Sequence, residues 1–235
     1  MSINETPKHI IITRTKPGAV KTALRAEKMG LIPIIIPAAE VIAKDFDVDI
    51  EGVQALLVTS SNAPQLANFD EHLLSIPIYA VGDATMEACI TRGFTQVISA
   101  GGDASALAVL IADRLNPEDG KLMHLRGDDV AGDVGGLLRA CGFEVLNAVC
   151  YATVANPEFI AKINPTMQEN SGYIMFHSPK GAERFNAAVT EHNLQNWCAI
   201  CISEAAAQPI IAAGFQEIRI ASRPNEDAMF DIITP

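Results

Sequence analysis

The chain has 235 residues, 49% of them hydrophobic and 19% charged, with a formal net charge of −11. This is the composition of a well-packed soluble protein with one large or two medium domains. The acidity argues against a general binder of nucleic acid or anionic membrane, and the longest apolar runs, broken by Pro33, Pro37 and Pro77, are too short to span a bilayer.

In chain order, the first strand is expected at His9–Thr13, followed by Arg14, a helix over Ala19–Met29, Gly30 and a strand at Ile32–Ile36. Further strands are expected at Ala55–Thr59, Ile78–Val81, Gln96–Ser99, Lys121–Leu125, Glu144–Ala148, Tyr173–Phe176, Cys198–Ile202 and Glu217–Ile220, with helical patterns such as Ser105–Leu115 between them. The strands are short and rich in Ile, Val and Leu, as parallel strands buried on both faces are. Gly30, Gly93, Gly142 and Gly214 stand where helices should close. Segments Ala38–Ala43 and Val149–Val154 read as strand-like crossings that could pair antiparallel as a hinge, and Asn156, Pro157 and Asn164-Pro165 punctuate the chain beyond the second.

The pattern occurs twice. Shifted by 112 residues, Arg14 falls on Arg126 and Gly30 on Gly142; shifted by 118, Leu56–Ser60 falls on Ile174–Ser178. The order a, b, a′, b′ predicts an α/β protein with two similar doubly wound parallel-sheet lobes, joined by a two-stranded linker, with a cleft between them. The expected lobes are 1–37 with 154–235, and 40–150, with hinge strands at 38–43 and 149–154. A simple tandem, with the first lobe made of residues 1–115, is the alternative.

Candidate chemistry gathers at strand-to-helix turns. Ser60, Ser61, Asn62 and Ala63 form one; Gly82 and Thr85, then Gly102, Asp103 and Ser105, bracket two more; Ser178 and Lys180 open another. Backbone N–H groups at such turns bind carboxylates or phosphates, although the same residues serve equally as ordinary helix caps. No P-loop or complete dinucleotide fingerprint is present. Arg14 and Arg126 occupy equivalent positions and could pair with substrate carboxylates or act as struts; Lys16, Lys21 and Arg184 are further cations near these turns. Cys198 and Cys201, three apart in a strand, point to opposite faces and read as core residues. His9, His72, His124, His177 and His192 lack metal-ligand spacing. The odd count of five cysteines and the lack of a leader in the opening residues predict a reducing, cytoplasmic setting. Tyr151, in the second crossing, either reaches a ligand or ties its hydroxyl to backbone.

Together, Ile12-Thr13-Arg14, Thr59–Ala63, Val81–Thr85, Gly102–Leu107, Leu125–Asp128, Val149-Cys150-Tyr151 with Thr153, and Phe176–Pro179 resemble the uroporphyrinogen-III synthase family over nearly the whole chain. The resemblance implies a lyase that removes the terminal hydroxyl of hydroxymethylbilane as water, inverts the last pyrrole ring through a spiro intermediate and closes the macrocycle, without cofactor or metal. It also implies that Tyr151 assists departure of that hydroxyl. The substrate, a polycarboxylate linear tetrapyrrole, is the one small-molecule partner expected of a monomer that binds neither nucleic acid nor membrane. Where the family often has a Gly- and Thr-rich turn, Ser203-Glu204-Ala205-Ala206-Ala207 stands, which lacks the hydroxyls expected to meet the substrate and adds the negative charge of Glu204. The competing reading is a non-catalytic bilobal binding protein for an anionic small molecule.

Overall fold

A computed structural model describes residues 8–233 except 17, 47–48, 130–131 and 190–193; the opening segment and His192 lie outside the described residues. The α/β class read from the sequence is observed, as two sheets dominated by parallel pairing. The chain divides into two compact units, Met1–Glu40 with Val154–Pro235, and Val41–Thr153.

In the first unit, β1 (His9–Ile12), α1 (Gly18–Lys28) and β2 (Ile32–Ile35) are completed from far along the chain. Those later elements are α7 (Phe159–Glu169), β9 (Gly172–Phe176), α8 (Pro179–Ala188), β10 (Trp197–Cys201), α9 (Glu204–Ala207), β11 (Glu217–Ile220) and α10 (Glu226–Asp231). The sheet order is β11-β10-β9-β1-β2. The alternation of a strand buried on both faces is plain in β1: Ile10 and Ile12 pack into one core cluster, Ile11 into the other. Cys198 and Cys201 likewise fall in opposite clusters. Burial pushes the thiols of Cys89 and Cys201 up to about 12 and those of Cys150 and Cys198 to about 11, so none of the four is a ready nucleophile.

In the second unit the elements are β3 (Ala39–Ala43), β4 (Val53–Val58), α2 (Asn62–Leu66), α3 (Glu71–Leu74), β5 (Ile78–Ala80), α4 (Asp83–Arg92), β6 (Val97–Ser99), α5 (Ala104–Arg114), β7 (Lys121–Gly127), α6 (Val134–Ala140) and β8 (Val145–Ala155). The order β3-β8-β7-β4-β5-β6, taken from β6, repeats that of the other sheet, with β3 added at the edge. The N–H of Asn156 donates to Ala38 O, and that of Lys44 to Cys150 O. As one number rises the other falls, so these two stretches run antiparallel. Gly93 closes α4 in the left-handed region at φ 110°, where its N–H and that of Phe94 satisfy the last carbonyls.

Two departures from the sequence reading have physical causes. Strand β8 runs unbroken through what reads as a strand and a separate crossing, Glu144–Ala148 and Val149–Val154, because its second half stays hydrogen-bonded on one edge. Pro165 lies inside α7 and does not punctuate it. The buried stripe Phe159, Ile163, Met167 holds the helix, and Asn164 Nδ2 caps the Ile160 carbonyl one residue before the one the proline leaves unpaired.

Candidate functional site

In doubly wound sheets ligands bind at the carboxyl ends of strands, at the point where strand order reverses. In the Val41–Thr153 unit that point lies between β4 and β7: from β4 the chain moves outward to β5 and β6, from β7 outward to β8. In the other unit it lies between β1 and β9. The sequence-predicted residues sort around these two points, with different degrees of freedom.

Tyr151 sits on β8 beside the end of β7, paired in register with Gly127. Its ring is buried, at 7% exposure, in the cluster with Val58, Ala63 and Leu125. Among the described residues no group hydrogen-bonds its hydroxyl. A buried aromatic body with an uncommitted donor is the geometry of a ligand contact.

The turns differ in how many N–H groups they leave free. At Gly102–Ser105 the Asp103 carboxylate takes the N–H groups of Ser105 and Ala106, at 2.9 and 3.0 Å, so this turn is capped from within. Ser178 does the same for Gly181, at 3.1 Å, with Pro179 at the first helical position; Lys180 is exposed in the same turn. Ser203 caps α9 by accepting from Ala206, and Glu204 is exposed. By contrast, α4 starts at Gly82, which has no side chain to offer, and the N–H groups of Asp83 and Ala84 have no acceptor among the described residues. Thr85, buried behind them, donates its N–H to Gly82 O. At α2, Ser60 Oγ accepts from Asn62 N–H at 3.2 Å, Ser61 adds no side-chain cap, and the N–H of Ala63 has no acceptor among the described residues.

The two equivalent arginines also part company. Arg126 donates to the carbonyls of Gly127 and Asp128, at 2.9 and 3.0 Å, and no carboxylate pairs with it among the described residues. Arg14 is tied to Glu226 at 3.2 Å, and its guanidinium lies where a Cβ on Gly18 would be, 2.6 Å from Nε. Glu226, which the sequence reading does not single out, also accepts from Thr22 and lies 3.6 Å from His177 Nε2. The His177 imidazole, then the Thr22 hydroxyl and Arg14, hold its carboxyl down at about 2. Burial outweighs the carboxylate at His177 and lowers its pKa, so the imidazole faces Glu226 neutral. The charge of Arg14 is therefore spent inside its own unit.

His124, 3% exposed on β7, bridges the reversal point through a 3.2 Å contact from Nε2 to Thr59 Oγ1. Burial, with Arg126 and Arg139, lowers its pKa from 6.5 to about 4. The folded state thus resists a proton that the unfolded chain accepts. Its stabilising contribution is complete above about pH 6.5 and is lost as pH falls towards 4, by up to about 3 kcal/mol. In urea titrations, His124→Gln should flatten the pH dependence across that window; an unchanged slope would rule His124 out as its source.

The family model described as HEM4, uroporphyrinogen-III synthase HemD, matches residues 20–231. No curated protein matches by sequence. The structure is similar to a uroporphyrinogen-III synthetase from Helicobacter pylori 26695, with TM-score 0.64 and 18% identity over 96% of this chain and 97% of that one. A mutant uroporphyrinogen III synthase from the extremely thermophilic bacterium Thermus thermophilus aligns with TM-score 0.49 and 15% identity over 95% and 96%. With the family model spanning most of its length, this chain belongs to the uroporphyrinogen-III synthase family, the cyclising lyases of tetrapyrrole biosynthesis.

Proposed function

We propose that this chain converts hydroxymethylbilane to the type III macrocycle, with Tyr151 as the group that helps the terminal hydroxyl leave. The observation that carries the reading is the Tyr151 hydroxyl, without a hydrogen-bond partner among the described residues, at the carboxyl end of a doubly wound sheet. Hydroxide leaves poorly unless a donor meets the oxygen, and a phenol is such a donor at neutral pH. Departure of water gives an electrophilic carbon, which the last ring attacks; inversion through the spiro intermediate and ring closure follow. The open N–H groups of Ala63, Asp83 and Ala84 and the unneutralised charge of Arg126 are the best candidates for substrate carboxylates; Ser178 and Lys180 are candidates in the other unit. The substrate closes spontaneously to the type I isomer, so the protein's task is to position and to select. The reading places the protein in the cytoplasm, as a monomer.

The test is to supply hydroxymethylbilane and separate the product isomers. Type III product above the spontaneous type I background supports the reading, and type I alone overturns it in favour of a binder.

Because each N–H contact at a helix start contributes only about 0.3–1 kcal/mol, single turns are dispensable. Ser60→Ala should weaken substrate binding by no more than about fivefold. Complete loss of binding by a folded Ser60→Ala variant, in a fluorescence titration, would show that one turn dominates.

A further inference from the structure

Tyr151 does not point where an ordinary strand would aim it. Arg126 stands opposite Val149, but the next residue, Gly127, stands opposite Tyr151, so Cys150 is an extra residue in β8. The side chains show the same slip. Leu146, Ala148 and Cys150, every second residue, pack against one cluster, and Tyr151, adjacent to Cys150, packs there too. In a strand without the bulge it would join residues 147 and 149 on the opposite face. The Cys150 carbonyl turns outward to accept from Lys44 N–H at 2.8 Å, and the Tyr151 carbonyl takes the place facing β7, accepting from Asp128 N–H at 3.1 Å.

The re-aimed ring then lies against Gly127. A Cβ at position 127 would be 2.5 Å from Tyr151 Cε2, 2.7 Å from Cζ and 3.1 Å from the hydroxyl oxygen. Gly127 is not among the glycines with positive φ, so its backbone does not demand glycine; the phenol does. The strand end cannot easily yield. Arg126 grips the carbonyls of Gly127 and Asp128, and the Asp128 carboxylate accepts from Thr153 N–H at 3.3 Å.

We propose that Gly127, together with the bulge at Cys150, is a positioning residue for Tyr151: its missing side chain fixes where the phenol hydroxyl is presented. The proposal rests on the reading of Tyr151 as the proton donor. A methyl group at 127 must push the ring outward by about an ångström, and misplacement on that scale costs up to about 10²-fold in rate.

The experiment is a double-mutant cycle on type III product formation, with melting curves for every variant. Gly127→Ala alone should lower kcat by roughly 10- to 100-fold with KM held within about twofold. In the Tyr151→Phe background the ring and the clash remain but the hydroxyl is gone, so Gly127→Ala should lower kcat no further. The loss of melting temperature should be the same in both backgrounds, and should shrink in the Tyr151→Ala background, where the ring is removed. Equal kcat losses in the wild-type and Tyr151→Phe backgrounds, or no loss in either, would overturn the proposal. Undiminished turnover by Tyr151→Phe alone would instead overturn the reading of Tyr151. If Gly127→Ala does not fold, adding Tyr151→Ala should restore folding; failure to do so would also overturn the proposal.

Discussion

Tyr151→Phe should lower turnover of hydroxymethylbilane by roughly 10²- to 10⁴-fold, the range for loss of a general acid, and leave stability almost unchanged. Stability should hold because the ring, which fills the cluster with Val58 and Leu125, is kept, and because the lost hydroxyl has no partner among the described residues. No buried donor or acceptor is orphaned. The electron-rich pyrrole already assists departure of the leaving oxygen, so residual turnover should remain measurable. Steady-state assay of total macrocycle, corrected for spontaneous closure, checks the rate, and a thermal melt checks the fold. Full activity in a folded variant would leave positioning as the whole of the catalysis.

Glu226→Ala should destabilise the Met1–Glu40/Val154–Pro235 unit by about 2–3 kcal/mol at pH 7. Glu226 is 29% exposed and collects Arg14, Thr22 and His177 at the start of α10, where the helix dipole adds to the attraction. The loss is limited because Arg14 can rehydrate and Thr22 still donates to Gly18 O. Sign follows from the carboxyl being held at about 2, below its value of 4.5: the unfolded chain binds the proton more readily. The contribution is therefore full above about pH 4.5 and lost as pH falls to about 2, and mutant and wild type should converge over that interval. Trp197, the single tryptophan, is fully buried in this unit, so its fluorescence during denaturation reports on it selectively. Equal midpoints at pH 7 would remove the cluster from any account of stability.

Strands buried on both faces announce themselves: an apolar run such as Ile10–Ile12 bounded by polar residues leaves little choice. What periodicity cannot carry is a tertiary partner. Arg14 and Glu226 are 212 residues apart, and each alone reads as a surface charge. One local signal was available. Asn225 followed by Glu226 and Asp227 is a helix start, and a helix after the last strand begins on the edge where Arg14 lies. The bulge was hidden for a related reason. Val149-Cys150-Tyr151-Ala152 is apolar throughout, so one extra residue shifts no visible pattern. Asp103 is the opposite case: the residue was legible, but whether its turn offers the N–H groups of Ser105 and Ala106 or its carboxylate covers them depends on a side-chain rotamer.

The position of β1 bears on how the chain reaches this state. Its two neighbours are β2, about twenty residues on, and β9, whose Gly172–Phe176 is made more than 150 residues later. The contiguous Val41–Thr153 unit can close its core as soon as its own residues are available. Until Gly172–Phe176 is made, β1 holds only one partner and presents an open edge of unpaired N–H and C=O groups alongside exposed Ile10, Ile11 and Ile12, a template for pairing with the wrong strand. Loop closure over that span is slow as well as costly. Folding during synthesis should therefore be ordered, middle before ends, and the vulnerable species is a chain whose centre is native while its first strand waits.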